Sequence, residues 1–417
     1  MDRIIFHCDC NSFYASVELL GRPELRHLPV AVCGDPESRH GIILAKNEAA
    51  KTFGVKTAET IWQARKKCPE LVLLPAHHRR YAEISKKVNS IYEEYSDLVE
   101  PFGIDESWLD VTGSVHLFGG DPVALADTLR ERIRAEVGIT ISVGISFNKV
   151  FAKLGSDYKK PDATTVISRE NFQELVWPLP VTDLLYVGHA AKNAFQRFRI
   201  ATIGELAVFD KDALFTILGK NGVQLHDFAN GLDTSPVAPA RQSAVPKSVG
   251  NGLTFPRNLN RPEEIRAGIT MLSDQVAARL RSHKMKCCCV SLSIRDPEFQ
   301  DISRQRQFDT PTNLSREIGM YAWELALGCW TMADPVRALT VTALSLIPEG
   351  DAVSQFDLLG SAQTQKREKL ERLEAAMDSI RARYGKDAIS PASTSIDISR
   401  SHHMPPPDEH HDSKSKW

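Results

Sequence analysis

The 417-residue sequence lacks the features that mark several large classes of protein. Its eight cysteines contain no CxxC pair and no regular spacing, so the sequence supports neither a zinc framework nor a disulfide scaffold. No apolar stretch approaches the ~20 residues that a membrane helix needs, and the short run between Asp2 and Asp9 lacks the plan of a signal peptide. We therefore expect a reducing, cytoplasmic setting and no membrane partner.

The chain also has no overall excess of charge, with 51 Lys and Arg against 53 Asp and Glu. A nucleic-acid partner would therefore have to meet local basic surfaces. Residues 241–337 carry fourteen Lys or Arg against ten Asp or Glu. Four further lysines fall within twelve residues, namely Lys149, Lys153, Lys159 and Lys160. Both groups are compatible with contacts to a phosphate backbone, although a modest basic excess is also common on solvated faces.

Three acidic residues have an informative placement. Asp9 closes the apolar run 4–8, and Asp105 and Glu106 are neighbours in the middle of a predicted hairpin. Carboxylate oxygens suit Mg²⁺, which usually completes its octahedral shell with water and substrate phosphates. Neighbouring residues on a regular strand face opposite ways, so Asp105 and Glu106 can share a site only at a turn or bulge, which Gly103 allows. The pattern indicates phosphoryl transfer, although Asp9 taken alone also fits a turn or cap.

Strands and helices alternate through about residue 166 and predict a mixed sheet covered by helices. The predicted strands cover 4–8, 30–33, 42–44, 99–102, 108–111, 140–145 and 165–167, and the predicted helices cover 80–95 and 122–137. Asn11 or Ser12 is expected to cap the helix that follows the first strand. From residue 181, short helical pieces broken by glycines predict a small helical domain.

A polar stretch with three prolines, residues 234–247, is typical of a linker. Beyond it the pattern predicts an α+β unit, with strands over 249–255, 288–295, 304–308 and 338–347 and helices over 262–283 and 313–329. A final amphipathic helix is predicted over 364–384, with one apolar face formed by Leu370, Leu373, Met377, Ile380 and Tyr384. The fold class is therefore α+β with several domains.

Three blocks of the sequence resemble the Y-family of DNA polymerases, the translesion enzymes of the bacterial polymerase IV (DinB) type, with a first block similar to that of UmuC. The blocks are residues 9–18, 102–110 and 139–161, and the resemblance runs from about residue 3 to residue 385. It implies a right-hand polymerase with a mixed or antiparallel palm sheet. The implied domains are a palm (1–10 and 77–168), fingers (11–76), a helical thumb with a helix-hairpin-helix (169–233), a linker (234–247), an α+β little finger (248–347), a clamp-binding segment with the amphipathic helix (348–398) and a disordered tail (399–417).

The resemblance also implies how the acids act. Two Mg²⁺ ions per active site would join the incoming dNTP to the primer 3′-hydroxyl. Asp9 and Asp105 match the acids that bridge both ions, Glu106 matches the ligand nearer the primer hydroxyl, and Cys10 matches the position that lends its backbone carbonyl. Tyr14 matches the steric gate that excludes a ribonucleotide 2′-hydroxyl, with a core aromatic as the alternative.

Further matched positions would contact the nucleotide or the DNA. Phe13, Lys51 and Lys160 match residues that bind the dNTP, and Gly41, Ile42 and Leu44 align with fingers residues over the templating base. The run 184–192 resembles a helix-hairpin-helix, with Gly188 and Lys192 as its DNA contacts and with Tyr186 in place of the usual first glycine. The candidate DNA contacts of the little finger are Lys247 and Ser248. The segment Gln355, Phe356, Asp357, Leu358 and Leu359 resembles the peptide that binds the bacterial sliding clamp, with packing onto the neighbouring helix as the alternative.

One departure from the family pattern concerns the triphosphate. Polymerase IV members usually read Tyr-Glu-Ala-Arg where this chain reads Glu48-Ala49-Ala50-Lys51. A phenol that would bind phosphate is therefore a carboxylate that would repel it, and an arginine fork is a lysine ammonium. We expect Lys51 to contribute and Glu48 to point elsewhere.

The resemblance implies a template-directed DNA polymerase that extends a primer past damaged bases with low fidelity. Its expected partners are primer–template DNA, dNTP and the sliding clamp, and it is expected to act as a monomer near the nucleoid. Two alternatives are a nucleotidyl cyclase built on a similar sheet and a clamp-tethered DNA-binding accessory protein that has lost catalysis. Asp9, Asp105 and Glu106 argue against the accessory protein, whereas Glu48 favours it.

Overall fold

The computed structural model describes residues 2–34, 41–240, 246–351, 361–385 and 388–391, with the backbone alone for residues 361–366. The described residues up to 240 belong to one compact unit, and those from 246 onward belong to a second. Within these described ranges, no helix is both long enough and apolar enough to cross a membrane.

The first unit begins with the strands and helices that surround the acidic residues. In chain order these are β1 (Ile5–Cys10), α1 (Phe13–Leu19), β2 (Val30–Cys33), β3 (Ile43–Lys46), α2 (Glu48–Thr52), α3 (Ile61–Lys67), β4 (Val72–Pro75), α4 (His78–Tyr92), β5 (Val99–Pro101), β6 (Glu106–Asp110), α5 (Pro122–Val137), β7 (Ile141–Ser146), α6 (Lys149–Tyr158) and β8 (Thr164–Ile167). Five short helices follow, namely α7 (Phe172–Val176), α8 (His189–Arg197), α9 (Ile203–Ala207), α10 (Lys211–Leu218) and α11 (Lys220–Ala229).

Strand β1 lies at the centre of a five-stranded sheet with the order β5-β6-β1-β7-β8. It pairs antiparallel with β6 and β7, and β7 pairs parallel with β8. Because side chains alternate along a strand, Phe6 and Cys8 belong to the core formed with α4 and α5, whereas His7 lies on the opposite face and reaches Ser156 of α6. Asp9 shares the face of His7, so the charged groups lie on the side of the sheet that packs against α6, where Ile5 and Trp108 form a smaller apolar cluster with Ala152.

Helix α6 approaches the sheet very closely at Gly144 of β7. A Cβ atom at Gly144 would overlap the carbonyl oxygen of Ala152 and the amide nitrogen of Ser156. On the helix side, a Cβ at Gly155 would lie 3.0 Å from the Cα of Gly144. Since these neighbours are backbone atoms and cannot move aside as a flexible side chain can, only glycine fits at position 144.

The strands predicted from the sequence as one mixed sheet belong to two sheets, which corrects that prediction. β2 and β3 leave the five-stranded sheet and form a three-stranded sheet with the order β3-β2-β4. β4 was missed by the sequence analysis, although its run of four residues is as long as that of β2. Its parallel pairing of Val72 with Val30 of β2 makes it a strand.

The helical region predicted after residue 181 is present as α8 to α11, which share a core with α6 and α7. The first part of the predicted linker packs on the same unit. Val237 is buried, the backbone N–H of Ala238 donates to the Glu100 carboxylate at 2.9 Å, and that of Ala240 donates to the Asp97 carbonyl at 2.9 Å. The chain is therefore held to the first unit as far as residue 240.

The second unit is an antiparallel four-stranded sheet with two helices packed on it, as the sequence predicted. Its strand order is β11-β10-β12-β9, and the side chains of α12 and α13 join the buried core of the sheet. The elements are β9 (Ser248–Leu259), α12 (Pro262–Ser282), β10 (Met285–Arg295), β11 (Asp301–Thr312), α13 (Ser315–Cys329), β12 (Val336–Pro348) and α14 (Ser361–Tyr384).

Helix α14 contacts the rest of the second unit through charged side chains. Arg281 of α12 pairs with Glu374, and Arg381 pairs with Asp274 of α12 at 2.7 Å. Glu374 is buried and also accepts hydrogen bonds from the backbone N–H and the hydroxyl of Ser315, at 2.9 and 2.7 Å. A carboxylate in this position compensates the unpaired N–H groups at the start of α13.

The apolar face predicted for α14 is only partly buried. Leu373, Ile380 and Tyr384 are exposed, whereas Leu370 and Met377 are half-buried. The periodicity therefore predicted the helix, and the ion pairs described above add contacts that the apolar pattern does not indicate.

Candidate active site

The three acids predicted to bind metal lie together at the end of β1. Asp9 is directly opposite Glu106 in the β1–β6 pairing, and Glu106 is the first residue of β6. Asp105 precedes the strand, in the turn of the β5–β6 hairpin, and its carbonyl accepts a 2.9 Å hydrogen bond from the backbone N–H of Cys10. The turn resolves the geometric conflict of two neighbouring acids, since Asp105 is not bound by the alternation of the strand.

The proximity of these carboxylates affects their protonation. Burial, followed by the charges of Asp9 and Glu106, raises the pKa of Asp105 to about 6. Burial also raises the pKa of the Asp9 carboxyl, and the Lys160 ammonium limits that rise. Like charges close together disfavour ionisation, so the protein holds these carboxylates together at an energetic cost.

Two lysines provide the positive charge in this structure. Lys160 lies 2.8 Å from the Asp9 carboxylate and 2.7 Å from that of Asp157, while Lys153 pairs with Glu106. Although burial pushes the pKa of Glu106 upward, His7 and Lys153 lower it to about 2. These lysines therefore face carboxylates inside the first unit.

Lys149, also predicted as part of a basic surface, is buried. It pairs with Glu100 at 2.7 Å, and its ammonium lies 4.3 Å from the ring centroid of Trp108. Of the four clustered lysines, Lys159 and Lys160 keep exposed positions, and Lys160 is paired with Asp9 and Asp157.

His7 belongs to this site and was missed by the sequence analysis. It is fully buried, its Nδ1 lies 2.8 Å from Ser156 Oγ, and its Nε2 lies 3.3 Å from the Glu106 carboxylate. Burial lowers the pKa of the imidazole. Its spacing of two residues from Asp9 on a strand was the available signal, because that spacing puts both side chains on one face.

The oxygen donors of Asp9 and Asp105 decide whether this site suits a metal ion. Among the described residues, no three His, Cys, Asp or Glu side chains are arranged as a ready metal cluster, and Glu106 is directed to Lys153 and His7. The oxygen donors of Asp9 and Asp105 nevertheless suit a hard divalent cation. Burial first, and then the charges of Asp9 and Glu106, disfavour the ionised form of Asp105, and a bound cation would offset both effects. The residues therefore fit a Mg²⁺-type ion.

Tyr14 lies beside the acids. Burial and the charge of Asp105 raise the pKa of its phenol. Its ring stacks on Tyr81 with centroids 4.1 Å apart and planes 14° from parallel, and the Tyr81 hydroxyl donates to the buried Glu18 at 2.7 Å. Phe13, predicted to bind dNTP, has its ring buried in the core, which leaves its backbone N–H at the start of α1 as the group available to a ligand.

The start of α1 differs from the sequence prediction. Ser12 occupies the N-cap position in a left-handed conformation (φ 49°) but makes no side-chain cap. Asn11 does not cap the helix either, since its amide donates to Ser142 at 2.9 Å and its oxygen accepts from Thr140 and from the N–H of Asp162. The prediction that one of these residues caps α1 was wrong because other partners bind their polar groups.

Glu48 and Lys51 pair with each other across one turn of α2. The Lys51 ammonium lies 2.5 Å from the Glu48 carboxylate, which also accepts a 3.2 Å hydrogen bond from the Ser12 hydroxyl. Both side chains of the pair are substantially exposed. The carboxylate thus neutralises the very lysine that was predicted to bind triphosphate.

The candidate DNA-binding residues occupy exposed positions. Gly188 is the N-cap of α8, and Tyr186, at the place of the usual motif glycine, takes the left-handed conformation (φ 69°) that the turn requires. Lys192 is exposed on α8, and Lys247 and Ser248 are exposed at the start of β9. The predicted clamp-binding residues Gln355, Phe356, Asp357, Leu358 and Leu359 lie outside the described residues.

Comparisons with known proteins identify the class of fold. The structure is similar to that of a Y-family DNA polymerase chimera of Dbh and Dpo4, with a TM-score of 0.73, 21% identity, and coverage of 83% of this chain and 99% of that chain. The described sheets and helices are therefore those of a Y-family polymerase fold.

Sequence comparisons narrow the class. The chain matches the impB/mucB/samB family over residues 8–157 and the C-terminal domain of the same family over residues 246–358. It is 50% identical to the DNA polymerase IV of Acetivibrio thermocellus, over 92% of this chain and 96% of that protein. It is 39% identical to the DNA polymerase IV of Moorella thermoacetica (93% and 95%) and 38% identical to DNA polymerase IV 2 of Bacillus subtilis (93% and 93%).

The chain belongs to the DNA polymerase IV group of the impB/mucB/samB family. It is a DNA-directed DNA polymerase that carries out translesion synthesis, and the cyclase and accessory-protein alternatives are not favoured. As a polymerase of this group it depends on divalent metal and acts on primer–template DNA and dNTP.

Proposed function

We propose that Asp9, Asp105 and Glu106 hold two Mg²⁺ ions for nucleotidyl transfer, with the backbone carbonyl of Cys10 as a further ligand. When bound, such ions activate the primer 3′-hydroxyl and stabilise the charge of the pyrophosphate leaving group. The observation that carries this proposal is geometric, since Asp9 lies opposite Glu106 at the end of β1 and Asp105 precedes Glu106 in the hairpin turn. Partly buried carboxylates gathered in this way are stabilised in their ionised form by a nearby positive charge. In this structure Lys160 and Lys153 provide that charge.

Lys160 and Lys51 are the proposed contacts for the triphosphate. Each now pairs with carboxylates, Lys160 with Asp9 and Asp157 and Lys51 with Glu48. A triphosphate would draw each ammonium away from its present partners, as a point charge does without demanding a fixed geometry. The N–H of Phe13 is the third proposed contact, at the start of α1.

Tyr14 is the proposed steric gate. Its ring is held against Tyr81, and Tyr81 is in turn hydrogen-bonded to the buried Glu18. A ring fixed in this way can exclude the 2′-hydroxyl of a ribonucleotide by steric clash, whereas a freely rotating ring would move aside.

The remaining proposed roles concern the DNA and its partners. Gly41, Ile42 and Leu44 would cover the templating base, and Gly188, Lys192, Lys247 and Ser248 would contact DNA phosphates. The segment 355–359 would bind a bacterial sliding clamp. We further propose that the enzyme acts as a monomer in the cytoplasm, at the nucleoid. The exposure of Lys192, Lys247 and Ser248 supports the phosphate contacts.

Primer extension tests the metal site. The natural chain, Asp105→Ala and Glu106→Ala would be compared on an undamaged template with Mg²⁺ and four dNTPs. Asp110→Asn is the matched control, since Asp110 lies at the other end of the same strand β6. We expect extension by the natural chain and by the control, and its loss in both alanine variants.

Two outcomes would contradict the assignment. Extension by Asp105→Ala or Glu106→Ala at the natural rate would remove that acid from the proposed metal site. No extension by the natural chain, with DNA binding retained, would favour the accessory-protein reading.

A further inference from the structure

We propose that Trp62 is a stacking platform for the unpaired template bases that have yet to be copied. Trp62 is the second residue of α3, and 70% of its surface is exposed, although tryptophan is among the more buried residue types on average. The ammonium of Lys66, one turn along the helix, lies 5.5 Å from the ring centroid. An open aromatic face next to a cation is the arrangement that binds single-stranded nucleic acid.

The ring stands on a fixed support. Thr60 Oγ accepts from the Gln63 N–H at 3.3 Å, and Gln63 Oε1 accepts from the Thr60 N–H at 3.1 Å, which closes a capping box at the start of α3. Ala64, on the inner face of the helix, is fully buried. The exposure of Trp62 is therefore set by the way α3 is anchored.

The platform adjoins the residues proposed to cover the templating base. The Ile61 N–H donates to the Gly41 carbonyl at 3.3 Å, and the Ile43 N–H donates to the Glu59 carbonyl at 2.9 Å. The segment that leads into α3 is thus bonded directly to residues 41–43. The inference rests on the proposed function in this respect, because it uses the role proposed for those residues.

The local charge suits a polyanion. Residues 52–67 contain four Lys or Arg and a single acid, Glu59, which already pairs with Lys67. Arg65 and Lys66 are exposed on the same short helix as Trp62. A phosphate backbone that passes this helix would meet positive charge beside the ring.

Single-stranded template is the occupant that these features favour. Bases in a duplex already stack on each other, so an exposed indole gains little from them, whereas unpaired bases offer their faces. A template-directed polymerase always has unpaired template ahead of the templating base. Stacking also tolerates every base and many lesions, because each base has a π-face.

Binding of DNA with different overhangs tests the platform. A primer–template with a dye on its duplex end and a 5′ template overhang of one or six nucleotides would be titrated by anisotropy. For the natural chain we expect the six-nucleotide overhang to bind about five- to tenfold more tightly. Trp62→Ala should lose that gain while binding the one-nucleotide overhang normally, and Trp62→Phe should keep most of it.

The control is Leu117→Ala, since Leu117 is also 70% exposed in the first unit. It should behave like the natural chain. The proposal would be overturned if Trp62→Ala still bound the six-nucleotide overhang more tightly than the one-nucleotide overhang, by the same factor as the natural chain. It would also be overturned if the variant lost equal affinity for both overhangs, which would indicate a general contact with DNA. Failure of the polymerase assignment is a separate result, because it would appear as no extension by the natural chain on the one-nucleotide overhang.

Discussion

Replacement of Glu48 by Gln should improve the use of dNTP. In the structure the Glu48 carboxylate lies 2.5 Å from the Lys51 ammonium, so an incoming triphosphate must break this pair and approach a negative charge. Gln removes both obstacles with little change in size. The variant should therefore lower KM for dNTP and leave kcat nearly unchanged, because the effect falls on binding.

The size of the effect follows from the exposure of the pair. The side chains of Glu48 and Lys51 are 50% and 39% exposed, and pairs of this kind contribute about 0.2–1 kcal/mol. Removal of the repulsion between the carboxylate and the triphosphate adds a similar free energy of binding, which salt screens in the same way. Together these give about 1 kcal/mol, which corresponds to a KM lower by about fivefold.

Single-nucleotide insertion kinetics would measure this change. Glu83→Gln is the control, since Glu83 is 62% exposed and pairs with Arg79, four residues earlier, on the surface of α4. The effect of Glu48→Gln should also shrink in a Lys51→Ala background, because the two residues act as a pair. A KM that is unchanged or higher in Glu48→Gln would refute this reasoning.

Two further predictions concern stability. In metal-free buffer at pH 7.5, we expect the free energy of unfolding of Asp105→Asn to exceed that of the natural chain by about 1–2 kcal/mol, so the variant should melt at a higher temperature. The reason is that the pKa of Asp105 is raised to about 6 in the folded state, so its ionisation destabilises the folded state as pH rises from about 4 through 6. This advantage should vanish below pH 4, and a variant that is less stable at pH 7.5 would contradict the prediction. Glu374→Gln should lower the free energy of unfolding of the second unit by about 2 kcal/mol, since the buried carboxylate loses its charge-assisted bonds to Arg281 and Ser315. Thermal melts beside Glu368→Gln, an exposed glutamate of the same helix, would check this, and equal effects of both variants would argue against it.

Capping residues and apolar runs in the sequence predicted several helices and strands correctly. Helix α5 begins and ends at the predicted residues, because Asp121 caps its first turn and Gly138 ends it in the left-handed conformation. The strand that carries Asp9 and the hairpin that carries Asp105 and Glu106 were also predicted from their apolar runs. The position of each acid in a strand or hairpin could therefore be predicted from local pattern, whereas their role as one metal site was implied by the family resemblance and stays a prediction.

The partners of those acids could not be predicted from periodicity. Glu106 and Lys153 are 47 residues apart in the chain, and no local pattern indicates that they pair. The predicted basic surface was wrong for Lys149 for the same reason, since its acidic partner Glu100 comes from another element. Helix α14 gives a similar result, because its docking depends on Arg281 and Asp274 of α12, about a hundred residues earlier.

The close contact at Gly144 affects how this enzyme tolerates random mutation. Any amino-acid change at this codon adds at least a Cβ, and that atom has no free volume between β7 and the backbone of α6. The helix would have to shift, and Lys153 would move with it away from Glu106. The enzyme thus depends on a position that carries no functional group and still accepts no other residue.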